Sequence, residues 1–102
     1  MIRHVIIWTL KDGYSFADKQ LIKAKAKKNL ESLVGKIEGL KSLVVTVAGL
    51  NSSTGDMMLD SVFADVNALN RYKTSKEHVT VADTFVRPYV AVRSCFDYEL
   101  FE

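Results

Sequence analysis

Two histidines and a tyrosine are the side chains of this sequence best suited to proton transfer near neutral pH. The only histidines of the chain are His4 and His78, and imidazole is the side chain whose ordinary pKa lies closest to that pH. Tyr72 precedes His78 by six residues, a spacing that separates the two on a continuous helix. We predict a helix break at 74–75, with Ser75 capping a new segment, which would bring Tyr72 and His78 together. His78 would then lie in the first turn, where the helix dipole favours its neutral, basic ring.

Tyr72 and His78 together fit acid-base catalysis without a cofactor. His78 would remove an acidic proton next to a carbonyl, while Tyr72 would hydrogen-bond the oxygen that gains charge. Such chemistry suits an intramolecular aldol closure. Four side chains are candidates for ligand binding in an apolar cavity: His4, Trp8, Phe63 and Phe85. The structural alternative stays open, because a histidine near a helix start is often only hydrogen-bonded, and aromatic residues at strand spacing usually belong to the core.

Several classes of function lack the residue patterns that they need. The histidines form no His-x-x-x-His pattern and no Asp-x-Asp pattern is present, so we expect no metal site. We also expect no cofactor, because no glycine-rich phosphate loop occurs. The charge balance of 14 Lys+Arg against 12 Asp+Glu gives only +2, which argues against a nucleic-acid partner.

The cysteine content and the apolar segments bear on location. Cys95 is the only cysteine, so no intramolecular disulfide can form, and we expect a cytoplasmic protein with Cys95 as a small buried side chain. The longest apolar runs are far shorter than the roughly 18 residues of a membrane span. The amino-terminal segment 1–10 lacks a small-residue cleavage site and is expected to be a strand of the mature protein.

The elements that must position these residues follow from apolar periodicity and turn residues in a single domain over residues 1–102. A helix is predicted from the capping box of Ser15 and Asp18 to near Gly39, and a shorter one begins at Asn67 and restarts after Ser75. The predicted strands are Ile2 to Leu10, Leu43 to Ala48, Met58 to Val66 and Tyr89 to Leu100. This is the α+β, ferredoxin-like order β-α-β-β-α-β, with a four-stranded antiparallel sheet and both helices on one face.

The first strand is apolar on both of its faces. One face carries His4, Ile6 and Trp8, and the other carries Val5 and Ile7. The helices can cover only one side of the sheet, which leaves an apolar surface larger than soluble monomers usually expose. We therefore predict a homodimer whose sheets pack face to face as a dimeric α/β barrel.

The sequence resembles the stress-responsive α/β-barrel family, also called Dabb domains, over nearly its whole length. The resemblance rests on Ile2-Arg3-His4-Val5-Ile6, Ile37-Glu38-Gly39-Leu40, Phe63 to Tyr72, His78, Phe85-Val86-Arg87-Pro88 and Phe96-Asp97-Tyr98-Glu99. It implies a homodimer in a family where most members have no assigned reaction, while a polyketide-cyclase branch uses the Tyr and the terminal His as its catalytic pair. This chain departs from the family's His-Pro-x-His pattern, since Ser75 and Lys76 stand where the earlier His and the Pro would be.

Three functions remain open from the sequence. The first is a dimeric stress-responsive α/β-barrel protein of unassigned activity that binds a small apolar ligand. The second is a cofactor-free cyclase or lyase that acts through His78 and Tyr72. The third is a purely structural dimerisation module.

Overall fold

The computed structural model describes residues 1–101. Its strands are β1 (Ile2–Leu10), β2 (Leu40–Thr46), β3 (Met57–Phe63) and β4 (Val90–Glu99), and its α-helices are α1 (Phe16–Glu31), α2 (Val66–Thr74) and α3 (Lys76–Val81). A π-helical turn, Ala82–Val86, and a 3-10 turn, Arg87–Tyr89, connect α3 to β4. The sheet is antiparallel with strand order β2-β3-β1-β4. The predicted ferredoxin-like order is confirmed, with the second helical unit divided in two.

The first helix is shorter than the periodicity predicted. Ser15 caps it as expected, since its Oγ accepts a hydrogen bond from the Asp18 amide over 3.1 Å. The helix ends at Glu31 rather than near Gly39, and turns that place Gly35 and Gly39 at φ +89° and +86° follow it. Left-handed backbone at these glycines cannot continue a right-handed helix. The chain consequently enters β2 three residues before the predicted start at Leu43.

The second helical unit begins earlier than predicted because another residue caps it. The Asp65 carboxylate accepts a hydrogen bond from the Ala68 amide over 2.8 Å, so Asp65 is the N-cap and Asn67 already lies inside α2. The predicted cap at Asn67 was therefore wrong. Because the cap needs extended backbone at Asp65 and helix directly after it, β3 ends at Phe63 instead of Val66.

The two faces of the sheet differ in their cover. Ile6, Trp8 and Leu10 of β1 are buried under the helices. On the other face, which we call the open face, the exposed apolar side chains include Ile7, Val44, Val92 and Phe96. This is the uncovered apolar surface that the sequence predicted.

The edge strand β4 is also uncovered on the helix side. Arg93, Cys95 and Asp97 point to that side, opposite Trp8, Ile6 and His4 of β1, and all three are exposed. We call these three residues the β4 flank. Cys95 was expected to be buried, but it lies on the exposed edge strand and is itself exposed.

Candidate functional site

The break between α2 and α3 brings Tyr72 and His78 into contact. Ser75 has extended backbone at φ −64° and ψ 143° between the two helices. Its hydroxyl accepts a hydrogen bond from the His78 amide over 3.2 Å and donates one to the Tyr72 carbonyl over 3.0 Å. The Tyr72 and His78 rings lie 4.1 Å apart between centroids, with an interplanar angle of 34°. The break predicted at 74–75 is thus present, and it makes the two rings neighbours.

His78 is half-buried and neutral near pH 7. Burial lowers the pKa of its imidazole most strongly, and the positive charges of Arg87 and Arg93 lower it further, against the hydrogen bond to Lys73. Its Nδ1 lies 3.4 Å from the Lys73 carbonyl oxygen. A carbonyl can only accept, so this contact places the ring proton on Nδ1 and leaves the Nε2 lone pair free to take a proton.

Tyr72 is buried among other rings. Its side chain is only 1% exposed, and its ring centroid lies 4.9 Å from that of Phe63 and 6.3 Å from that of His4. Burial raises the pKa of the Tyr72 hydroxyl well above its ordinary value, although the positive charge of Arg93 opposes this. The hydroxyl therefore stays protonated and can act as a hydrogen-bond donor.

His4 lies near Tyr72 and pairs with Asp97. It is 1% exposed, and its Nδ1 contacts the Asp97 Oδ1 directly across the β1 and β4 register. Burial lowers the pKa of His4 more than the hydrogen bond and charge of Asp97 raise it. Burial alone would raise the pKa of Asp97, but hydrogen bonds from His4 and Cys95, with the nearby Lys73 charge, hold it below its ordinary value.

The Cys95 thiol completes a cluster with this pair. Its Sγ lies 3.8 Å from the His4 Nδ1 and 3.4 Å from the Asp97 Oδ1. Although Cys95 is an exposed residue, its sulfur is partly covered, and this desolvation together with the hydrogen bond to the Asp97 carboxylate and its charge raises the pKa of the thiol. No local sequence pattern links Cys95 to His4, because the histidine lies 91 residues away in the chain. The available signal was the two-residue spacing of Cys95 and Asp97, which puts both on one face of a strand.

The four predicted ligand-binding residues do not share one surface. Trp8 and Phe63 lie in the core, and His4 lies in the cluster just described. Phe85 lines a pocket of about 220 Å³ together with Tyr14, Leu21, Ile22 and Tyr89, among others. A second pocket, of about 380 Å³, lies between Ile7 on the open face and the 49–56 loop. The parts that Trp8, Phe63, His4 and Phe85 play in ligand binding stay predictions.

Comparison with known proteins identifies a family for this chain and solved structures with the same fold. The family described as "Stress Responsive A/B Barrel Domain", or Dabb, matches residues 2–100. The chain belongs to this family. The family resemblance noted from the sequence is thereby confirmed. The Dabb chain is also similar to several solved structures. A search among curated proteins found no match.

Three solved structures illustrate the range of Dabb-like relatives. A dimeric protein of unknown function with a ferredoxin-like fold, from Bacteroides fragilis, is 24% identical with a TM-score of 0.90, over 97% of this chain and 95% of that chain. A Dabb protein from Mesorhizobium loti is 23% identical with a TM-score of 0.73, over 99% and 97%. The hydroxynitrile lyase from Passiflora edulis is 16% identical with a TM-score of 0.74, over 99% and 94%. These similarities show the fold and assign no specific activity.

None of the helices of this Dabb chain, within residues 1–101, is long and apolar enough to cross a membrane.

Proposed function

We propose that this Dabb protein is a cofactor-free enzyme of the cyclase or lyase type, in which His78 is the general base and Tyr72 the hydrogen-bond donor. The observation that carries the proposal is the contact of the two rings at 4.1 Å between centroids. A basic nitrogen and a phenol held side by side supply the two functions that proton abstraction next to a carbonyl requires.

The protonation states of the pair match these roles. Because Nδ1 of His78 points at the Lys73 carbonyl, Nε2 is the nitrogen that would take the substrate proton. The Tyr72 hydroxyl stays protonated and would stabilise the oxygen that becomes an enolate. Its burial among rings reduces the reorganisation needed when that charge develops.

In a cyclisation, His78 would remove the proton on a carbon next to one carbonyl, and the electron pair would move onto the carbonyl oxygen. The enolate carbon would then attack a second carbonyl of the same molecule and form the new carbon–carbon bond. The imidazolium of His78 would return its proton to the resulting alkoxide, so no external oxidant or reductant is needed. General acid-base assistance of this kind accelerates reactions by about 10²- to 10⁴-fold.

The pocket beside Phe85 favours a second candidate, which is binding of a small apolar ligand without turnover. Its lining combines Phe85, Tyr14 and Tyr89 with the aliphatic side chains of Leu21 and Ile22. Its volume of about 220 Å³ suits a small aromatic molecule or a short acyl chain.

A homodimer that packs through the open face is part of the same proposal. The exposed side chains of Ile7, Val92 and Phe96 form an apolar surface that a second copy would bury. The dimeric Bacteroides fragilis protein has the same fold. The free Cys95 thiol suits a reducing compartment, and the cytoplasm is the location that we propose.

A two-stage experiment tests the proposal. A panel of aromatic, polyketide-like and hydroxynitrile compounds is first screened for an increase in melting temperature. A compound at ten times its Kd adds about 1.4 kcal/mol, which raises the melting temperature of a domain of this size by roughly 5 to 10 °C. Stabilising compounds are then assayed for turnover.

The variants separate catalysis from binding. His78→Ala should lower turnover by about 10²-fold or more, and Tyr72→Phe should lower it while keeping the ring packing. Glu77→Gln is the matched control, since Glu77 is an exposed neighbour of His78 on α3. Binding without turnover by any compound would favour the second candidate. Unchanged turnover in a folded His78→Ala protein would remove His78 from the mechanism, and no stabilisation by the panel would favour a structural module.

A further inference from the structure

We propose that His4, Cys95 and Asp97 form a binding site for one divalent transition-metal ion of the zinc type. The three residues offer an imidazole nitrogen, a thiol sulfur and a carboxylate oxygen, and these atoms all lie within 4.8 Å of one another. Nitrogen, sulfur and oxygen donors of these kinds are the ligands that zinc takes in proteins, and three protein ligands are typical of sites that keep a fourth position open.

The distances to sulfur already fit tetrahedral coordination. Metal–ligand bonds of about 2.0 to 2.3 Å put tetrahedral donor atoms roughly 3.3 to 3.8 Å apart. Cys95 Sγ lies 3.4 Å from the Asp97 Oδ1 and 3.8 Å from the His4 Nδ1. The contact that must lengthen is the hydrogen bond between His4 and Asp97. The partly exposed Asp97 side chain can make this adjustment while the buried His4 ring stays in place.

Metal binding displaces one proton from the cluster and moves another within the His4 ring. The His4 ring would carry its proton on Nε2, so that the Nδ1 lone pair binds the metal instead of donating to Asp97. The Cys95 thiol would release its proton to solvent and bind as thiolate. The resulting set of one neutral and two anionic ligands balances the charge of a divalent ion.

The surrounding charges define which metal suits the site. Lys73 Nζ lies 3.9 Å from the Asp97 Oδ2, and Arg93 shares the β4 flank. These cations weaken the binding of any metal ion, and hard ions such as Ca²⁺ or Mg²⁺, which need several oxygen ligands, find only the Asp97 carboxylate here. A metal ion that bonds strongly to thiolate and imidazole loses a smaller share of its binding free energy to the repulsion by Lys73 and Arg93. The open position would be filled from solvent, because Cys95 and Asp97 are both exposed.

Cobalt provides the direct test, because tetrahedral Co²⁺ bound to thiolate has a near-ultraviolet charge-transfer band and strong visible bands. The purified full chain, freed of metal with a chelator and kept reduced, is titrated with Co²⁺, and bound Co²⁺ is then displaced with Zn²⁺. We expect saturation at one ion per chain with the thiolate band present. Cys95→Ser should abolish the band, and Asp97→Asn should weaken binding about tenfold or more.

Matched variants make the test specific to this cluster. Glu99→Gln removes the same kind of charge from the same face of β4 and should leave binding unchanged, while Lys73→Met should strengthen it. His78→Ala should keep full binding, so the result does not depend on the proposed catalytic pair. Circular dichroism verifies that each variant is folded. Lack of saturable binding, or one-to-one binding that survives both Cys95→Ser and Asp97→Asn, would overturn the proposal.

Discussion

The hydroxyl of Ser75 accepts a hydrogen bond from the backbone amide of His78 over 3.2 Å. The same hydroxyl donates to the carbonyl of Tyr72 over 3.0 Å. One serine thus supplies a hydrogen-bond partner to a backbone carbonyl in the last turn of α2 and to a backbone amide in the first turn of α3. Since these two turns carry the tyrosine and the histidine, Ser75 determines where the two rings lie relative to each other.

Ser75→Ala should separate Tyr72 from His78 as well as reduce stability. Loss of an N-cap lowers the free energy of unfolding by about 1 kcal/mol. Ser15→Ala removes the equivalent cap of α1 and is the control, because Ser15 accepts from Asp18 in the same way. Both variants should lose similar stability in urea denaturation, but only Ser75→Ala should shift the His78 ring proton resonances in NMR spectra. Identical His78 resonances in the two variants would contradict the positioning role.

The stability of the protein should decrease as the pH falls below about 6.5. Burial lowers the pKa of both His4 and His78 in the folded state. Between the folded and unfolded pKa values the unfolded chain binds more protons, so the free energy of unfolding rises with pH in that window and falls on acidification. Each histidine contributes at most about 1.4 kcal/mol per pH unit.

Urea denaturation at a series of pH values from 5 to 8, roughly the range where histidine titrates, tests this assignment. His78→Gln removes one of the two titrating groups and should reduce the pH slope, whereas Glu77→Gln should keep it. The pKa of Asp97 is held below its ordinary value, so Asp97 changes its charge only at more acidic pH and does not contribute to the slope in this range. A slope that is the same in the wild type and His78→Gln would show that His78 is not held neutral by the fold.

Phe96→Asp should dissociate the proposed homodimer. Phe96 is 69% exposed on the open face, opposite Val5 of β1, and a buried charge without a partner is costly at an interface. Phe16→Asp is the control, since Phe16 is 79% exposed but lies on α1. Sedimentation equilibrium at micromolar concentration should find dimers for the wild type and Phe16→Asp and monomers for Phe96→Asp. A wild-type monomer under these conditions would exclude pairing through the open face.

Gly39→Ala should destabilise the fold more than Gly35→Ala does. Both glycines have positive φ, at +86° and +89°, so an alanine at either position costs about 1–2 kcal/mol of backbone strain. A Cβ at Gly39 would also lie 2.5 Å from the Cβ of Ala68, whereas nothing lies within 4 Å of one at Gly35. The clash should add roughly 1–3 kcal/mol. Equal losses in urea denaturation would mean that α2 moves away from the turn without cost.

The order of elements and the break between α2 and α3 could be predicted because both depend on residues that are close together in the sequence. Alternation along β1 and the cap at Ser15 depend on neighbouring residues only. The same holds for Ser75, whose side chain hydrogen-bonds within three residues on either side. Element ends were harder to predict. The left-handed turns at Gly35 and Gly39 and the competing cap at Asp65 outweighed the apolar periodicity.

The sequence by itself determined the ferredoxin-like order, the apolar open face and the proximity of Tyr72 to His78, because each follows from periods and caps within a few residues. Only the tertiary structure brought His4 to Asp97 and Cys95, across 93 and 91 residues of chain. The register between β1 and β4 places these three residues side by side. A shift of one residue would have turned Cys95 and Asp97 to the opposite face of the sheet. The exposure of Cys95 likewise depends on β4 being the edge strand, which the sheet order sets and no local pattern specifies.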